Sequence, residues 1–260
     1  GCKLVCIDDM HDKHYVADLV INHGIGLKDE YFSVESYTKL CLGWDYALLR
    51  KPFLNVIPRK REEQKRCLVC IGGSDKYNIS SKIVRLLEGV KSIEIIDVII
   101  GSTFLFRCEL EKEILNNKKK VNIFSNLSAF DMVKRMQIAD FGILPASTIS
   151  LEATAVGMPF LVGFYADNQE EYYHTLTSLT NNIGLGNLLE LIEFDNFIFE
   201  KKIINNFNKK FKTKKILNIF NGFKLIDKVN NVSFVNYIDL NTENKEKVLK
   251  YRNQEDVRKW

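Results

Sequence analysis

Residues 66–87 read RCLVCIGGSDKYNISSKIVRLL, an apolar run that ends in two glycines and is followed by an amphipathic stretch. The run 68–71 is short and contains β-branched residues, which is typical of a buried strand. The helical face that follows carries Ile79, Ile83, Leu86 and Leu87. Gly72 and Gly73 stand between the two patterns, where glycine permits a sharp backbone turn. This stretch therefore predicts a strand, a tight turn and a helix.

The same alternation continues along the chain. Short apolar runs predict strands at 4–7, 19–21, 68–71, 93–100, 121–124, 141–144 and 160–164. Ser128 with Asp131 predicts the start of one intervening helix, and Gly157 is suited to cap another over 151–156. Alternating strands and helices predict a parallel sheet covered on both faces. We expect an α/β fold with a doubly wound domain over about 66–165.

Composition divides the chain into three parts. Residues 1–58 carry strand-like pieces separated by loops and are predicted to be a partial N-terminal Rossmann-like domain. Residues 66–228 form a second Rossmann-like domain, with a mainly helical stretch over 169–228. Residues 232–260 begin a third unit with a strand followed by a charged helix. The chain opens almost at once on a core strand and closes just after a helical pattern, so we expect a fragment at both ends.

Overall charge excludes several classes of partner. The chain has 260 residues, with 37 basic and 33 acidic side chains that are dispersed, and no apolar run long enough to span a bilayer. The densest basic cluster, 59–66, includes Glu62 and Glu63 and predicts a solvated linker; a phosphate-binding patch is the alternative. We therefore expect a soluble cytoplasmic protein with no nucleic-acid and no membrane partner.

Cysteines and histidines do not form a clear metal motif. Cys67 and Cys70 have CxxC spacing, but they lie within an apolar run without a second pair, so we interpret them as buried small hydrophobes rather than zinc or redox ligands. Thiols without partners suit a reducing cytoplasm. Asp8 and Asp9 precede His11, but without helical ligand spacing, and turn or capping roles are favoured. The sequence predicts no metal and no cofactor.

Polar residues follow three of the predicted strands. Gly72 and Gly73 would let a phosphate approach backbone N–H groups at a helix start, with Ser74 and Asp75 beside them; an ordinary tight turn is the alternative. Because carboxyl ends of parallel strands share one edge of a sheet, we expect the three ends to form one rim.

The second strand end carries Ser147, Thr148 and Glu152. The two hydroxyls and the helix N–H groups suit phosphate oxygens, and the carboxylate suits a ribose diol. The alternative is capping by Ser147 or Ser150, with Glu152 in a favourable first turn.

The third strand end carries Asn168 and Gln169, whose amides suit the hydroxyl or acetamido groups of a sugar. The alternative is that Asp167 or Asn168 caps the next helix.

Several stretches together resemble a known family: CIDDMHDKHYVADLVIN, LGWDYALLRKPF, CIGGSDKYN, ILPASTISLEATAVGMPFLV and DNQ. The family is the UDP-2,4-diacetamido-2,4,6-trideoxy-β-L-altropyranose hydrolases of pseudaminic acid biosynthesis, which are related to GT-B glycosyltransferases. The resemblance covers residues 3 to about 228.

This resemblance implies a GT-B-like pair of Rossmann-like domains and hydrolysis that releases UDP. The nucleotide would be held by Gly72, Gly73, Ser147, Thr148 and Glu152. The sugar or cleft would be faced by Ser74, Asp75, Asn168 and Gln169. The UDP-sugar is the implied partner, and other enzymes of the pathway are a further one.

Two features qualify what the resemblance implies. The family's N-terminal glycine-rich loop and its histidine have no counterpart here, so no catalytic residue is assigned, and we expect this chain alone to bind UDP weakly without turnover. Residues 234–260 resemble the opening of GNAT-type N-acetyltransferases, which would use acetyl-CoA only if a complete domain followed; a short amphipathic appendage is the alternative. A glycosyltransferase half and a non-catalytic nucleotide-binding module remain as alternative functions.

Overall fold

The computed structural model describes residues 3–61, 63–179, 183–194 and Phe199. A six-stranded, all-parallel sheet dominates this part of the chain. Its strands are β6 (Arg66–Val69), β7 (Ile95–Ile100), β8 (Lys120–Ser125), β9 (Phe141–Pro145), β10 (Phe160–Phe164) and β11 (Ile183–Asn187). The helices around it are α1 (Ile79–Glu88), α2 (Arg107–Asn116), α3 (Ala129–Ile138), α4 (Thr148–Val156) and α5 (Asp167–Leu179).

The strand order places a topological switch in the middle of the sheet. The order is β11-β10-β9-β6-β7-β8, so the chain first winds outward from β6 to β8 and then returns to the other side of β6 with β9. This is the doubly wound order of Rossmann-like domains, in which ligands bind beyond the carboxyl ends of the strands at the switch point. The predicted α/β, doubly wound fold is confirmed.

Helices cover both faces of the sheet because its central strands are apolar on both sides. Cys67 and Val69 of β6 pack in the core under α1, while Leu68 packs in the core under α3 and α4. Cys70 belongs to that second core, so the two cysteines of the CxxC stretch are buried in different cores. Such alternation is what the period of two in a strand requires.

The N-terminal part forms two smaller parallel sheets. The first joins β1 (Val5–Ile7), β3 (Leu19–Asn22) and β5 (Lys39–Leu42) in the order β1-β3-β5. The second pairs β2 (His14–Tyr15) with β4 (Ser33–Val34). Three 3-10 helices complete this part: Asp29–Tyr31, Trp44–Tyr46 and Lys51–Asn55. Trp44 and Phe53 pack in the same core as α3 and α4, which ties this segment to the large sheet.

The basic stretch before β6 is largely exposed, as predicted for a solvated linker, but two of its arginines anchor it. Arg61 donates hydrogen bonds to the carbonyl oxygens of Met136, Ala139 and Gly157, which belong to the C-terminal ends of α3 and α4. Burial lowers the pKa of Arg61 to about 10. Arg59 donates to the carboxylate of Asp140 at 2.7 Å. Guanidinium groups at helix C-termini satisfy free carbonyls and oppose the negative end of the dipole, so these two arginines have a structural role within the exposed linker.

Other differences from the sequence predictions are local. The strand Ile183–Asn187 lies inside the stretch that was predicted to be mainly helical, and it pairs with β10. The helix predicted over 151–156 begins earlier, at Thr148. The capping pair of Ser128 and Asp131 is present at the start of α3. The predicted acetyltransferase-like unit, 232–260, lies outside the described residues, and the division into domains stays a prediction.

Within the ranges that the structure describes, no helix is long and apolar enough to cross a membrane.

Candidate functional site

The three polar strand ends predicted from the sequence lie side by side. Their strands, β10, β9 and β6, are consecutive neighbours in the sheet, and β6 and β9 are the two strands that flank the switch point. The Tyr165 hydroxyl after β10 donates to the carbonyl oxygen of Ile71 after β6 at 3.0 Å. The ends of two strands that are not adjacent therefore touch directly at this edge.

The turn after β6 exposes bare backbone. Gly72 has a φ of 104°, in the region that favours glycine, and Gly73 is exposed with no atom within 4 Å of where a side chain would begin. Gly101, after β7, also has a reason to lack a side chain, because a β-carbon there would lie 2.2 Å from the carbonyl oxygen of Gly73. Thr103 donates to that same oxygen at 3.0 Å. Gly101 and Thr103 thus hold the carbonyl group of Gly73, while the space where a Gly73 side chain would begin is open.

Asp75 has a capping role in place of the open position predicted for it. Its two carboxylate oxygens accept the backbone N–H groups of Ile79 and Ser80, each at 2.8 Å, and the residue is 2% exposed. Burial raises the pKa of Asp75, although these hydrogen bonds oppose the rise. The carboxylate therefore stabilises the start of α1 and occupies two N–H groups that a phosphate would otherwise use. Ser74 beside it is exposed.

The start of α4 is free of the side-chain capping that was the alternative interpretation. Ser147 occupies the N-cap position in an extended conformation, but its side chain makes no capping hydrogen bond. Ser150 lies inside the helix, and its hydroxyl donates to the carbonyl oxygen of Ser147 at 2.7 Å. Thr148 is exposed. This helix start keeps the features that an anion needs, namely a positive dipole end with hydroxyl groups beside it.

Glu152, one turn into α4, is held by a residue that the sequence interpretation did not single out. Arg50 donates from Nε to Oε1 and from its second terminal nitrogen to Oε2, both at 2.8 Å. Only 6% of the Glu152 side chain is exposed, against 45% for Arg50. A buried carboxylate needs such a partner because desolvation of an unpaired charge is costly. The available signal was the position of Arg50 in the stretch YALLR, just before the linker.

Cys70 lies just before the turn after β6 and is buried in the core on the α3 and α4 side of the sheet. Burial raises its pKa to about 11, and the N–H of Gly72 opposes that rise. The charges of Glu152 and Asp75 raise the pKa further, and that of Arg50 lowers it. Cys70 is therefore a buried thiol whose charged form is disfavoured by its surroundings.

The third strand end is only partly open. The helix α5 begins at Asp167, so Asn168 lies in its first turn, where it is exposed. The side-chain oxygen of Gln169 accepts the backbone N–H of Tyr165 at 3.1 Å. The Gln169 side chain also hydrogen-bonds the Tyr165 hydroxyl, which opposes the rise that burial causes in the pKa of Tyr165. Gln169 was predicted to face the sugar or cleft, and its side chain already hydrogen-bonds Tyr165.

Asp8, the first of the two acidic residues after β1, holds a turn. One Asp8 oxygen accepts from the Tyr15 hydroxyl, and the other accepts the His11 backbone N–H and the Asn22 side-chain nitrogen at 2.9 Å. Burial would raise the pKa of Asp8, but these hydrogen bonds lower it below its usual value. Across the described residues, no group of histidine, cysteine and acidic side chains is arranged to hold a metal.

His23 follows β3 at the carboxyl edge of the three-stranded sheet. Burial lowers the pKa of His23, and the charge of Asp9 opposes this only partly. Within the described residues its Nδ1 is buried without a hydrogen-bond partner. The imidazole is therefore neutral near pH 7.

A groove of about 570 Å³ lies elsewhere, between the 3-10 helix Lys51–Asn55 and α3. Its walls are mainly apolar and include Val56, Ile57, Phe130 and Val133. None of the predicted site residues lines it, so it is separate from the strand-end site.

Comparisons with known proteins agree with the fold. No protein-family model matches the chain. A curated protein of Methanocaldococcus jannaschii, Uncharacterized protein MJ1062, is 29% identical over 182 residues, which cover 66% of this chain and 37% of that protein. The UDP-2,4-diacetamido-2,4,6-trideoxy-beta-L-altropyranose hydrolase of Campylobacter jejuni is 27% identical over 172 residues, covering 65% of this chain and 60% of the hydrolase. The chain thus spans 37% and 60% of the length of these two relatives.

Among solved structures, MurG of Acinetobacter baumannii resembles this chain with a TM-score of 0.55 at 12% identity, covering 85% of this chain and 67% of MurG. At that identity the likeness shows the fold alone, which is GT-B-like.

Proposed function

We propose that this chain carries the nucleotide site of a UDP-sugar hydrolase that acts on UDP-2,4-diacetamido-2,4,6-trideoxy-β-L-altropyranose in pseudaminic acid biosynthesis. The observation that carries the proposal is the pair of open backbone turns on either side of the switch point, Gly72–Gly73 and Ser147–Thr148, with Glu152 one turn behind. The similarity to the Campylobacter jejuni enzyme supports the choice of substrate.

The diphosphate would lie between the two turns. The exposed Gly73 gives a phosphate oxygen close access to the backbone, and the Ser147 and Thr148 hydroxyls flank the positive end of α4. The N–H groups of Ile79 and Ser80 are already taken by Asp75, so α1 contributes less than α4. Glu152 would accept the hydroxyls of the ribose, which fixes the uridine end.

The sugar would lie toward α5. Asn168 is exposed there, and its side-chain amide would bind an acetamido or hydroxyl group, while Gln169 would face the sugar beside it. Ser74 is the exposed hydroxyl on the opposite side.

In the proposed reaction, the oxygen of a water molecule bonds to the anomeric carbon and releases a proton to solvent, while the bond from that carbon to UDP breaks and leaves its electron pair and a negative charge on the diphosphate. Backbone N–H groups and helix N-termini stabilise charge that develops in a transition state when they are fixed in advance. The described residues would thus stabilise the leaving group. No stretch of the chain matches the loop and histidine that the family uses, so we expect this chain alone to bind UDP weakly without turnover.

Calorimetric titration with UDP tests the nucleotide site directly. We expect saturable binding to the unaltered chain and a loss of at least about tenfold in affinity for Glu152→Gln, because neutral amides are weaker acceptors than carboxylates. Absence of binding by the unaltered chain would refute the site. In any form of the protein that turns over, UDP release from the sugar nucleotide without an acceptor supports hydrolysis, whereas release that depends on an added acceptor supports a transferase.

A further inference from the structure

Arg50 reaches Glu152 from a segment 102 residues earlier in the sequence, and its own position is well fixed. Its guanidinium lies over the ring of Phe53, 5.0 Å from the ring centroid, and Phe53 is 1% exposed. The backbone N–H of Phe53 donates to the carbonyl oxygen of Arg50 at 2.9 Å. The arginine is therefore held by a packed aromatic ring and by its own turn, independently of any ligand.

The contact with Glu152 uses one acceptor position on each carboxylate oxygen. An ionised carboxylate offers about four such positions over its two oxygens, so one remains on each oxygen. The two hydroxyls of a ribose need two acceptors of that kind. The side-on contact by Arg50 holds the Glu152 side chain in one rotamer and its carboxylate in one orientation. A diol that binds both oxygens requires this preorganisation.

Displacement of Arg50 from Glu152 by a ribose would be energetically unfavourable. Displacement would exchange two charge-assisted hydrogen bonds for two with neutral donors, and it would leave a carboxylate of 6% exposure without a counter-charge. The ion pair should therefore persist when a nucleotide binds.

From these contacts we infer that Arg50 is the positioning residue that makes Glu152 selective for ribonucleotides over deoxyribonucleotides. The inference rests on the proposed function, because it requires a uridine nucleotide at the site. Arg50 acts through Glu152 and does not itself contact the nucleotide. Its removal should therefore lower recognition of the 2′-hydroxyl without changing the affinity for a nucleotide that lacks it.

The experiment is a comparison of UDP and 2′-deoxy-UDP by calorimetry. The unaltered chain should prefer UDP by about tenfold, as expected for a hydrogen bond to a charged acceptor. In Arg50→Met the preference should fall below about threefold, and the affinity for 2′-deoxy-UDP should stay within about threefold of the original. Arg85→Met is the matched control, since Arg85 is also exposed and pairs with a glutamate, Glu113, on another helix; it should keep the full preference.

A second set of variants keeps the test valid if Arg50→Met does not fold. Arg50→Met in a Glu152→Gln background removes both charges, and it should show the same weak preference as Glu152→Gln alone. A further loss of UDP affinity in the double variant would overturn the inference, because Arg50 would then contact the nucleotide itself. An undiminished preference in Arg50→Met, an equal loss for both nucleotides or tighter UDP binding would also overturn it.

Failure of the inference and failure of the proposed function are distinguishable. If the unaltered chain binds neither nucleotide, both the proposed function and the inference fail. If the unaltered chain binds and prefers UDP and Arg50→Met does the same, only the inference fails.

Discussion

The guanidinium of Arg50 and the carboxylate of Glu152 form two hydrogen bonds of 2.8 Å across 102 residues of sequence. One partner precedes the basic linker, and the other lies in the helix that follows β9. This pair connects the N-terminal part of the chain to the switch point of the large sheet. It also neutralises the buried charge that the proposed nucleotide site requires.

The Arg50–Glu152 pair should make a measurable contribution to stability. Arg50→Met leaves the carboxylate buried without its partner, and we expect a loss of about 2 kcal/mol, less than for a fully buried pair because Arg50 is 45% exposed. Arg50→Met with Glu152→Gln should be less destabilised than Arg50→Met alone, since no charge is left unpaired. Urea unfolding measures both values. Equal losses for the two variants would contradict the assigned role of the pair.

Ser147 and Ser128 both occupy N-cap positions, but only Ser128 caps with its side chain. We therefore expect Ser128→Ala to lower the free energy of unfolding by about 1 kcal/mol and to leave UDP affinity unchanged. Ser147→Ala should change the free energy of unfolding by less than about 0.5 kcal/mol but lower UDP affinity about fivefold or more. Urea unfolding and calorimetry on both variants provide the comparison. If Ser147→Ala binds UDP normally, its hydroxyl does not contact the phosphate.

Gly101 and Gly73 should respond differently to a methyl group. At Gly101 the new carbon would lie 2.2 Å from the backbone oxygen of Gly73, so the turn has to move. We expect Gly101→Ala to lower the free energy of unfolding by about 2 kcal/mol and to weaken UDP binding. At Gly73 the space is open, so Gly73→Ala should leave stability within about 0.5 kcal/mol.

The methyl group at Gly73 would nevertheless occupy the space through which a phosphate approaches, so calorimetry should detect weaker UDP binding by Gly73→Ala. Normal UDP affinity in a folded Gly73→Ala variant would place the diphosphate elsewhere.

His23 should make stability depend on pH in the acidic range. Burial lowers its pKa in the folded state below the ordinary 6.5, so below that pH the unfolded chain binds a proton that the folded chain rejects. Stability should therefore fall as the pH decreases through about 6.5, by at most about 1.4 kcal/mol per pH unit from this group. Urea unfolding at pH 7.5 and 5.5 should show a smaller decrease for His23→Gln. The same decrease in both proteins would rule out this contribution.

Local patterns in the sequence were sufficient for most of the large sheet. The strand predicted over 160–164 matches Phe160–Phe164, and the predicted runs at 68–71 and 141–144 fall within one or two residues of β6 and β9. These predictions succeed because apolar runs, glycine turns and helix periodicity are short-range properties.

The strand Ile183–Asn187 was missed because its two glycines give no strand signal of their own. A side chain at Gly184 would lie 2.3 Å from the hydroxyl of Tyr173 in α5, so close packing, which no local pattern reveals, is what requires glycine there.

Neighbouring residues alone were enough to predict that glycines and hydroxyls follow β6 and β9 and that a glutamate lies one turn into the next helix, because such signals are local. Packing between distant segments was needed to show that these two strands are adjacent at the switch point, that Asp75 is used as a cap, and that Arg50 pairs with Glu152. Strand order and long-range ion pairs arise from packing between segments that are far apart in the chain. For that reason the sequence located the candidate site, and the fold decided which of its groups are free to bind.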